Sequence, residues 1–299
     1  MLQDRSWNNF VLYYGYGLDA VIEQFDLIIL DAGAHDLKVI SRLVDRNKTV
    51  LAYLSGFEYP FYRPEAAKVW GCYGLGVSSQ WSPSWTNNYL MDIRRDAWRD
   101  YLASEIEQIL LKGYHGVFLD TMGVCQMPEL NQLAPNILEE LILAAAETIG
   151  YFRKCFPQAI LVQNCGLNQV KELTAPFIDA ICWEGFKLDL VEGPQPNDWA
   201  LKQVGELKQL SKDMGIRVLL LAEDGNRHEK PRCELLHHGQ NLQQCIPKVS
   251  CQEIDPIYTL KRLQERFTRE HGFLIYQAPH GYVAGIYGLD GCWYPGEQP

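Results

Sequence analysis

The fold of this chain is decided by residues 113–121, GYHGVFLDT. The run from Val117 to Leu119 is apolar and β-favouring, so it predicts a short buried strand that ends on Asp120. In a parallel α/β fold, the carboxyl ends of the strands form the edge at which active sites are built. Asp120 is therefore either a candidate catalytic acid or the N-cap of the segment that follows.

Seven further segments predict strands, and helical patterns separate them. The strands are Asn9–Gly15, Phe25–Asp31, Lys48–Glu58, Ala159–Asn164, Ile178–Gly185, Ile216–Glu223 and Gly272–Gln277. The helical patterns are Leu18–Gln24, His35–Asn47, Arg95–Lys112, Asn136–Phe156, Trp199–Met214 and Pro256–Glu270. Eight alternating strands in 299 residues predict an α/β fold, the (β/α)8 TIM barrel. A doubly wound open sheet is the alternative, although no GxGxxG motif follows the first strand.

Two long loops interrupt the alternation, after strands 3 and 7. Residues 59–89 are dense in Pro, Gly, Ser and aromatic residues, and their tryptophans suit either a sugar-stacking surface or a plug of local core. Residues 225–255 are polar. We expect residues 1–299 to form a single barrel domain, on which residues 282–299 pack as a C-terminal extension.

The charge and the termini limit the partners. A net charge of −10 and a pI of about 5.2 argue against nucleic acid and anionic membranes, and they suit a neutral or cationic ligand. No apolar run approaches the length of a membrane span, and no basic segment followed by an apolar one stands at the N-terminus. The sequence as written predicts a soluble, cytoplasmic protein; secretion stays open if the N-terminus is a truncated or processed start.

The nine cysteines form no CxxC pair and no framework spacing, so we expect reduced thiols. Cys233, Cys245 and Cys251 share a loop with His237 and His238. These residue types could bind zinc, but their spacing matches no standard zinc site, which favours an ordinary loop. We therefore predict no metal site.

Acidic residues stand at or just past the ends of five predicted strands, and a barrel would bring them to one mouth. They are Asp31, Glu58, Asp120, Glu184 and Glu223. Aromatic and amide residues accompany them, namely Tyr14, Tyr53, Asn164, Trp183, Tyr276 and Gln277. Such a set, without a basic phosphate-binding group, is typical of a carbohydrate site.

Glycoside hydrolysis needs two carboxyl groups in different protonation states. One gives a proton to the leaving oxygen, and the other attacks the anomeric carbon or activates water. Several acids in one mouth raise one another's pKa by like-charge repulsion, so one of them could stay protonated near pH 7.

Three stretches follow one another along the chain: Tyr53–Glu58, Met91–Arg94 with Trp98, and Gly113–Asp120. In order and spacing they resemble the motifs of the endo-α-1,4-polygalactosaminidase-like family, glycoside hydrolase family 114. The resemblance implies a (β/α)8 barrel that needs no cofactor and cleaves α-1,4-linked galactosamine polymers. Its catalytic pair carries over onto Asp120, as nucleophile or transition-state stabiliser, and Glu184, as general acid/base, or the reverse. We expect substrate contacts from Tyr14, Asp31, Tyr53, Glu58, Asn164, Trp183, Glu223 and Tyr276.

Two other functions use the same mouth. Three strand-end carboxylates could hold Mg²⁺ in a barrel enzyme that stabilises enolates, although no lysine stands at a strand end. A barrel that binds carbohydrate without turnover is the non-enzymatic alternative. The partner in the leading hypothesis is an oligo- or polysaccharide, and the sequence leaves the oligomeric state open.

Overall fold

The computed structural model describes residues 6–60, 63, 65–75, 88–126, 130, 135–168, 170–192, 194–223, 265–279, 282–289 and 293–296. Its strands are β1 (Phe10–Tyr13), β2 (Leu27–Leu30), β3 (Thr49–Ser55), β4 (Glu58–Pro60), β5 (Asn88–Leu90), β6 (Gly116–Asp120), β7 (Ile160–Asn164), β8 (Ala180–Phe186), β9 (Arg217–Glu223), β10 (Leu274–Ala278), β11 (Gly285–Tyr287) and β12 (Trp293–Pro295). Its helices are α1 (Asp19–Ile22), α2 (Leu37–Asp45), α3 (Ala66–Tyr73), α4 (Asp96–Leu111), α5 (Pro135–Cys155), α6 (Val170–Thr174), α7 (Asp189–Glu192) and α8 (Asp198–Met214).

Eight strands form one parallel sheet in the order β1-β2-β3-β6-β7-β8-β9-β10. The edge strands β1 and β10 also contact each other, so the sheet is nearly closed into a barrel. Helices lie between successive strands of this sheet, as parallel connections require. This confirms the predicted (β/α)8 TIM barrel and excludes the open doubly wound sheet.

The barrel forms because its strands are apolar on both faces. All four residues of β2 are completely buried, and in β6 burial ends only at Asp120, which is half-buried. Gly116 allows β6 to lie close to β7, because a Cβ at this position would overlap the backbone of Ile160. Outside the sheet, α4 buries Trp98 and Ile106 on its inner face.

The region predicted as a long irregular loop differs from the prediction. The described part of residues 59–89 contains β4, α3 and β5, with β4 and β5 paired as an antiparallel hairpin. The predicted strand Lys48–Glu58 is also divided at Gly56. The N–H of Gly56 donates to the carbonyl oxygen of Asp120 at 3.0 Å, which turns the chain away from β3. Trp70 lies in α3 with its ring centroid 5.6 Å from that of Tyr89.

Some predictions fall on residues outside the described ranges. They include Trp81, Trp85, the polar loop 225–255 with its cysteines and histidines, and most of the helical pattern 256–270. The described cysteines Cys72, Cys125, Cys155, Cys165 and Cys182 are free. Among the helices that are described, none is both long and apolar enough to cross a membrane.

The C-terminal segment lies against the first and last barrel strands. Its strands β11 and β12 pair antiparallel, and β11 contacts both β1 and β10. The backbone N–H of Tyr14 donates to the carbonyl oxygen of Tyr282 at 2.9 Å. The chain beyond β10 is therefore joined to the carboxyl end of β1, at the mouth of the barrel.

Candidate active site

Three neighbouring strands carry a polar side chain at their carboxyl ends. These residues are Asp120 on β6, Asn164 on β7 and Glu184 on β8. Leu119 pairs with Gln163, so the next residues, Asp120 and Asn164, stand at one level. Asn164 is in register with Cys182, which places Glu184 two residues further towards the mouth. The alternation of side chains along β8 puts Cys182 and Glu184 on the same face.

A single amide group joins the two carboxyl groups. Nδ2 of Asn164 donates to Oδ1 of Asp120 at 2.7 Å and to Oε2 of Glu184 at 2.5 Å. Asn164 is 2% exposed, whereas Asp120 and Glu184 are half-buried. The amide therefore forms a buried floor from which the two acids extend towards solvent. The side chain of Asp120 faces this amide and not the turn at 124–126, which decides against its reading as a helix N-cap.

The shared amide limits the separation of the acids. Two oxygens on one nitrogen at these distances lie at most about 5 Å apart. Glycosidases that retain anomeric configuration place their carboxyl groups about 5–5.5 Å apart, and inverting enzymes about 6.5–9.5 Å apart. The upper limit for these two oxygens lies near the first distance and below the second range.

The backbone turns sharply after each of these three residues. Thr121, Cys165 and Gly185 follow Asp120, Asn164 and Glu184, and all three have left-handed φ angles of 63°, 57° and 70°. Thr121 is held in this conformation by its hydroxyl group, which accepts a hydrogen bond from the N–H of Phe57 at 2.9 Å. Left-handed residues other than glycine are uncommon and cluster at functional sites.

Tyrosine side chains surround the carboxyl pair. The ring of Tyr14 meets those of Tyr53 and Tyr282 edge to face, with centroids 4.9 and 5.8 Å away. Burial, and next the charge of Asp120, raises the pKa of Tyr14 and of Tyr53 well above the ordinary value. The hydroxyl group of Tyr53 also hydrogen-bonds to Asp120. These phenols therefore stay protonated and neutral beside the two acids.

Tyr282 makes the most direct of these contacts. Its hydroxyl group donates to Oε1 of Glu184 at 2.7 Å. Each oxygen of Glu184 thus accepts a hydrogen bond from a different part of the fold, Oε2 from β7 and Oε1 from the C-terminal segment. This residue was not among the predicted site residues.

A third acid, Glu58, stands beside the pair. It begins β4, is 4% exposed, and accepts a hydrogen bond from Nδ2 of Asn88 at 2.6 Å. The pKa of Glu58 is raised from an ordinary 4.5 to about 7, because burial outweighs the hydrogen bond from Asn88, which lowers the pKa, and the charge of Asp120 adds to the rise. Asn88 was also not predicted, since it lies in the stretch assigned as irregular.

The structure brings Tyr14, Tyr53, Glu58 and Asn164 together with Asp120 and Glu184, but it places other predicted site residues elsewhere. Trp183 packs edge to face on Trp199 of α8, with centroids 5.3 Å apart, because adjacent residues of a strand point to opposite faces. The ring of Tyr276 packs on Phe10 and Phe25, both 5.8 Å away.

Two predicted acids are not part of the described cluster. Oδ1 of Asp31 accepts a hydrogen bond from the N–H of Gly33 at 2.7 Å, so this carboxyl group serves its own loop. Glu223 ends β9, where its backbone is in register with Ala278, and its side chain lies outside the described atoms.

The polar groups of this cluster are carboxyl groups, phenols and amides. Within these residues no group of three or more His, Cys, Asp and Glu side chains could hold a metal ion. Burial raises the pKa of the two neighbouring thiols, Cys165 and Cys182, which keeps them neutral.

The comparisons with known proteins agree with this chemistry. The model of glycoside-hydrolase family GH114 matches residues 3–181. Among solved structures, the glycoside hydrolase domain of PelA from Pseudomonas aeruginosa has a TM-score of 0.69 at 19% identity, over 93% of this chain and 96% of that chain. Ega3 from Aspergillus fumigatus, in complex with galactosamine, has a TM-score of 0.60 at 11% identity, over 92% and 91%.

A third similar structure is the α-galactosidase TtGalA from Thermus thermophilus, with a TM-score of 0.53 at 13% identity, over 93% of this chain and 62% of that chain. At these identities, the structural likeness supports the barrel fold. A search of curated protein sequences gave no match.

The family model covers more than half of the 299 residues, which confirms the resemblance seen in the motifs. The chain therefore belongs to glycoside-hydrolase family GH114 and is a glycoside hydrolase.

Proposed function

We propose that this glycoside hydrolase cleaves α-1,4-linked galactosamine polysaccharide, with Asp120 and Glu184 as its two catalytic carboxyl groups. The observation that carries the proposal is the bridge through Asn164, which holds one oxygen of each acid within about 5 Å of the other, close to the distance found in retaining enzymes. Asp120 acts as the nucleophile and Glu184 as the general acid/base.

The reaction proceeds in two steps that each conserve the proton count. In the first, an oxygen of Asp120 bonds to the anomeric carbon while the glycosidic bond breaks, and the leaving oxygen takes the proton of Glu184. In the second, Glu184 removes a proton from water, whose oxygen displaces Asp120 from the anomeric carbon. The product keeps the anomeric configuration of the substrate.

The proposed substrate is supported by charge. The chain carries a net charge of −10, and three acids, Glu58, Asp120 and Glu184, stand in one cluster. The protonated amine of galactosamine is cationic, so a partly deacetylated polymer is attracted to such a mouth. Ega3 was solved in complex with galactosamine, and this likeness points to the same sugar.

The test is hydrolysis of α-1,4-linked galactosamine oligomers by the wild type, Asp120→Asn and Glu184→Gln. We expect turnover by the wild type with net retention, measured by proton NMR of the first-formed anomer, and loss of turnover in both variants. Full activity of either variant removes that residue from the mechanism. A wild type that is inactive on every amino-sugar polymer overturns the substrate assignment, and net inversion overturns the nucleophile.

A further inference from the structure

We infer that Tyr282, which lies outside residues 3–181 matched by the family model, is the positioning residue that orients and holds Glu184. The inference deepens the proposed function and rests on it for the role of Glu184. The hydrogen bond from the Tyr282 hydroxyl group to Oε1 of Glu184 is 2.7 Å long, and Tyr282 is 4% exposed. The donor is thus buried and aimed at a carboxyl group of the proposed pair.

The backbone at Tyr282 is held in a conformation that needs support. Its φ angle of 58° is left-handed, which is rare and unfavourable for an aromatic residue. The support comes from the N–H of Tyr14, which donates to the carbonyl oxygen of Tyr282, and from the N–H of Tyr282, which donates to Pro279 at 3.2 Å. The segment therefore fixes the direction of one specific side chain.

Glycine at position 15 allows the same segment to pack closely on the loop after β1. A Cβ at Gly15 would lie 2.5 Å from the hydroxyl oxygen of Tyr13 and 2.6 Å from the carbonyl oxygen of Val283. The N–H of Gly296 donates to the carbonyl oxygen of Ala284 at 2.8 Å, which extends the pairing of β11 and β12 at the open end of their hairpin. The hydrogen bonds and the close packing together hold the side chain of Tyr282 against Glu184.

The phenol also influences the charge of Glu184. Among the residues that the structure describes, the titratable groups near this carboxyl group include Tyr14, Tyr282, Asp120, Cys165 and Cys182. Asp120 repels a negative charge on Glu184, whereas the hydroxyl group of Tyr282 donates to it and so favours the ionised form. Glu184 must be protonated in one step and ionised in the next, so a donor of this strength tunes both steps.

The test is Tyr282→Phe, which keeps the ring and backbone contacts and removes the hydroxyl group. The titration midpoint of Glu184 is followed by carbon-13 NMR of the carboxyl groups, with its signal assigned by its absence in Glu184→Gln. We expect the midpoint to rise by about 1 pH unit. On galactosamine oligomers, kcat should fall about 10–100-fold with little change in KM, and the alkaline limb of the pH profile should move upwards.

Two further variants serve as a control and as a test in the opposite direction. Tyr151→Phe removes another phenol that donates to a carboxylate, that of Asp100, on the outer helices. This variant should change neither the titration midpoint of Glu184 nor kcat. Site-specific 3-fluorotyrosine at position 282 makes a stronger donor and should lower the midpoint of Glu184. An unchanged midpoint in both Tyr282 variants overturns the inference. A shifted midpoint in a protein that hydrolyses no galactosamine polymer upholds the contact and overturns only the proposed substrate.

Discussion

Asp120 and Glu184 lie on strands that are not neighbours in the barrel, yet their carboxyl groups share one hydrogen-bond donor. The strand between them, β7, supplies that donor through Asn164. The distance between the acids is consequently set by the spacing of three parallel strands and one buried amide. Elements of regular structure therefore fix most of this arrangement, and such elements hold a site more rigidly than loops do.

Removing either acid should abolish turnover without unfolding the chain. Asp120→Asn and Glu184→Gln keep the oxygens that accept from Asn164, so the hydrogen bonds of the floor persist, but each removes a group that reacts. We expect kcat/KM to fall by at least about 10³-fold in each variant. Glu140→Gln, which removes an exposed carboxylate that pairs with Arg94, is the matched control and should stay active. Loss of activity in this control would point to a general effect of charge.

Replacing the bridging amide by an acid should move the pH profile. Asn164→Asp removes both donors and places a third carboxyl group between two others, so repulsion raises the proton affinity of all three. We expect both limbs of the kcat/KM profile to shift to higher pH, with a lower maximum.

Asn197→Asp is the control for this change, because Asn197 caps α8 by accepting from the N–H of Ala200, and aspartate caps equally well. It should leave the profile and the Tm unchanged. A profile of Asn164→Asp that coincides with that of the wild type would show that the bridge has no electrostatic role.

Glu58 should make stability depend on pH. Its pKa is about 7 in the folded protein against an ordinary 4.5, so it contributes stability below pH 4.5 that is lost as the pH rises to about 7. Glu58→Gln avoids this loss and still accepts from Asn88. We expect the free energy of unfolding of the variant, relative to that of the wild type, to increase between pH 4.5 and 7 by on the order of 3 kcal/mol. Above pH 7 this difference should stay constant.

Denaturant unfolding across this pH range measures the difference. Asp213→Asn, which removes an exposed carboxylate on α8, should show no comparable step between pH 4.5 and 7. An advantage of Glu58→Gln that is already complete at pH 4.5 would contradict the raised pKa.

A methyl group at Gly15 should weaken the packing of the C-terminal segment on the loop after β1. Gly15→Ala forces a Cβ against Tyr13 and Val283, which costs about 1–3 kcal/mol if the core cannot adjust. Gly205→Ala is the opposite case, because Gly205 lies inside α8 with no atom within 4 Å of its Cβ position. This substitution should stabilise the helix by about 0.5–1 kcal/mol. Thermal unfolding of the two variants should give Tm shifts of opposite sign, and equal shifts would argue against the close contact.

The barrel and its central pair were accessible from the sequence because both follow from local patterns. Apolar runs bounded by glycine and ending on a polar residue identify strands β6, β7 and β8 one at a time. Parallel topology then brings the ends of these strands together without further information. Asp120, Asn164 and Glu184 were named for this reason.

Other parts of the site depend on contacts that no local pattern contains. Tyr282 reaches Glu184 across 98 residues of sequence, through a segment without periodicity. Trp183 could have been placed correctly, since it precedes Glu184 in the same strand and period-two alternation directs it to the opposite face. The hairpin that carries Glu58 and Asn88 was missed because its strands have only three residues each.

The left-handed residues after the three strand ends restrict how this enzyme can be improved. Thr121 and Cys165 each hold the backbone in a conformation that costs about 1–2 kcal/mol for residues other than glycine. Screens for thermostability would favour relaxing these turns, because the gain is available at no loss of buried area. The relaxed backbone would then redirect Asp120 and Asn164. Engineering for heat resistance should therefore leave these turns unchanged and substitute residues of the outer helices instead.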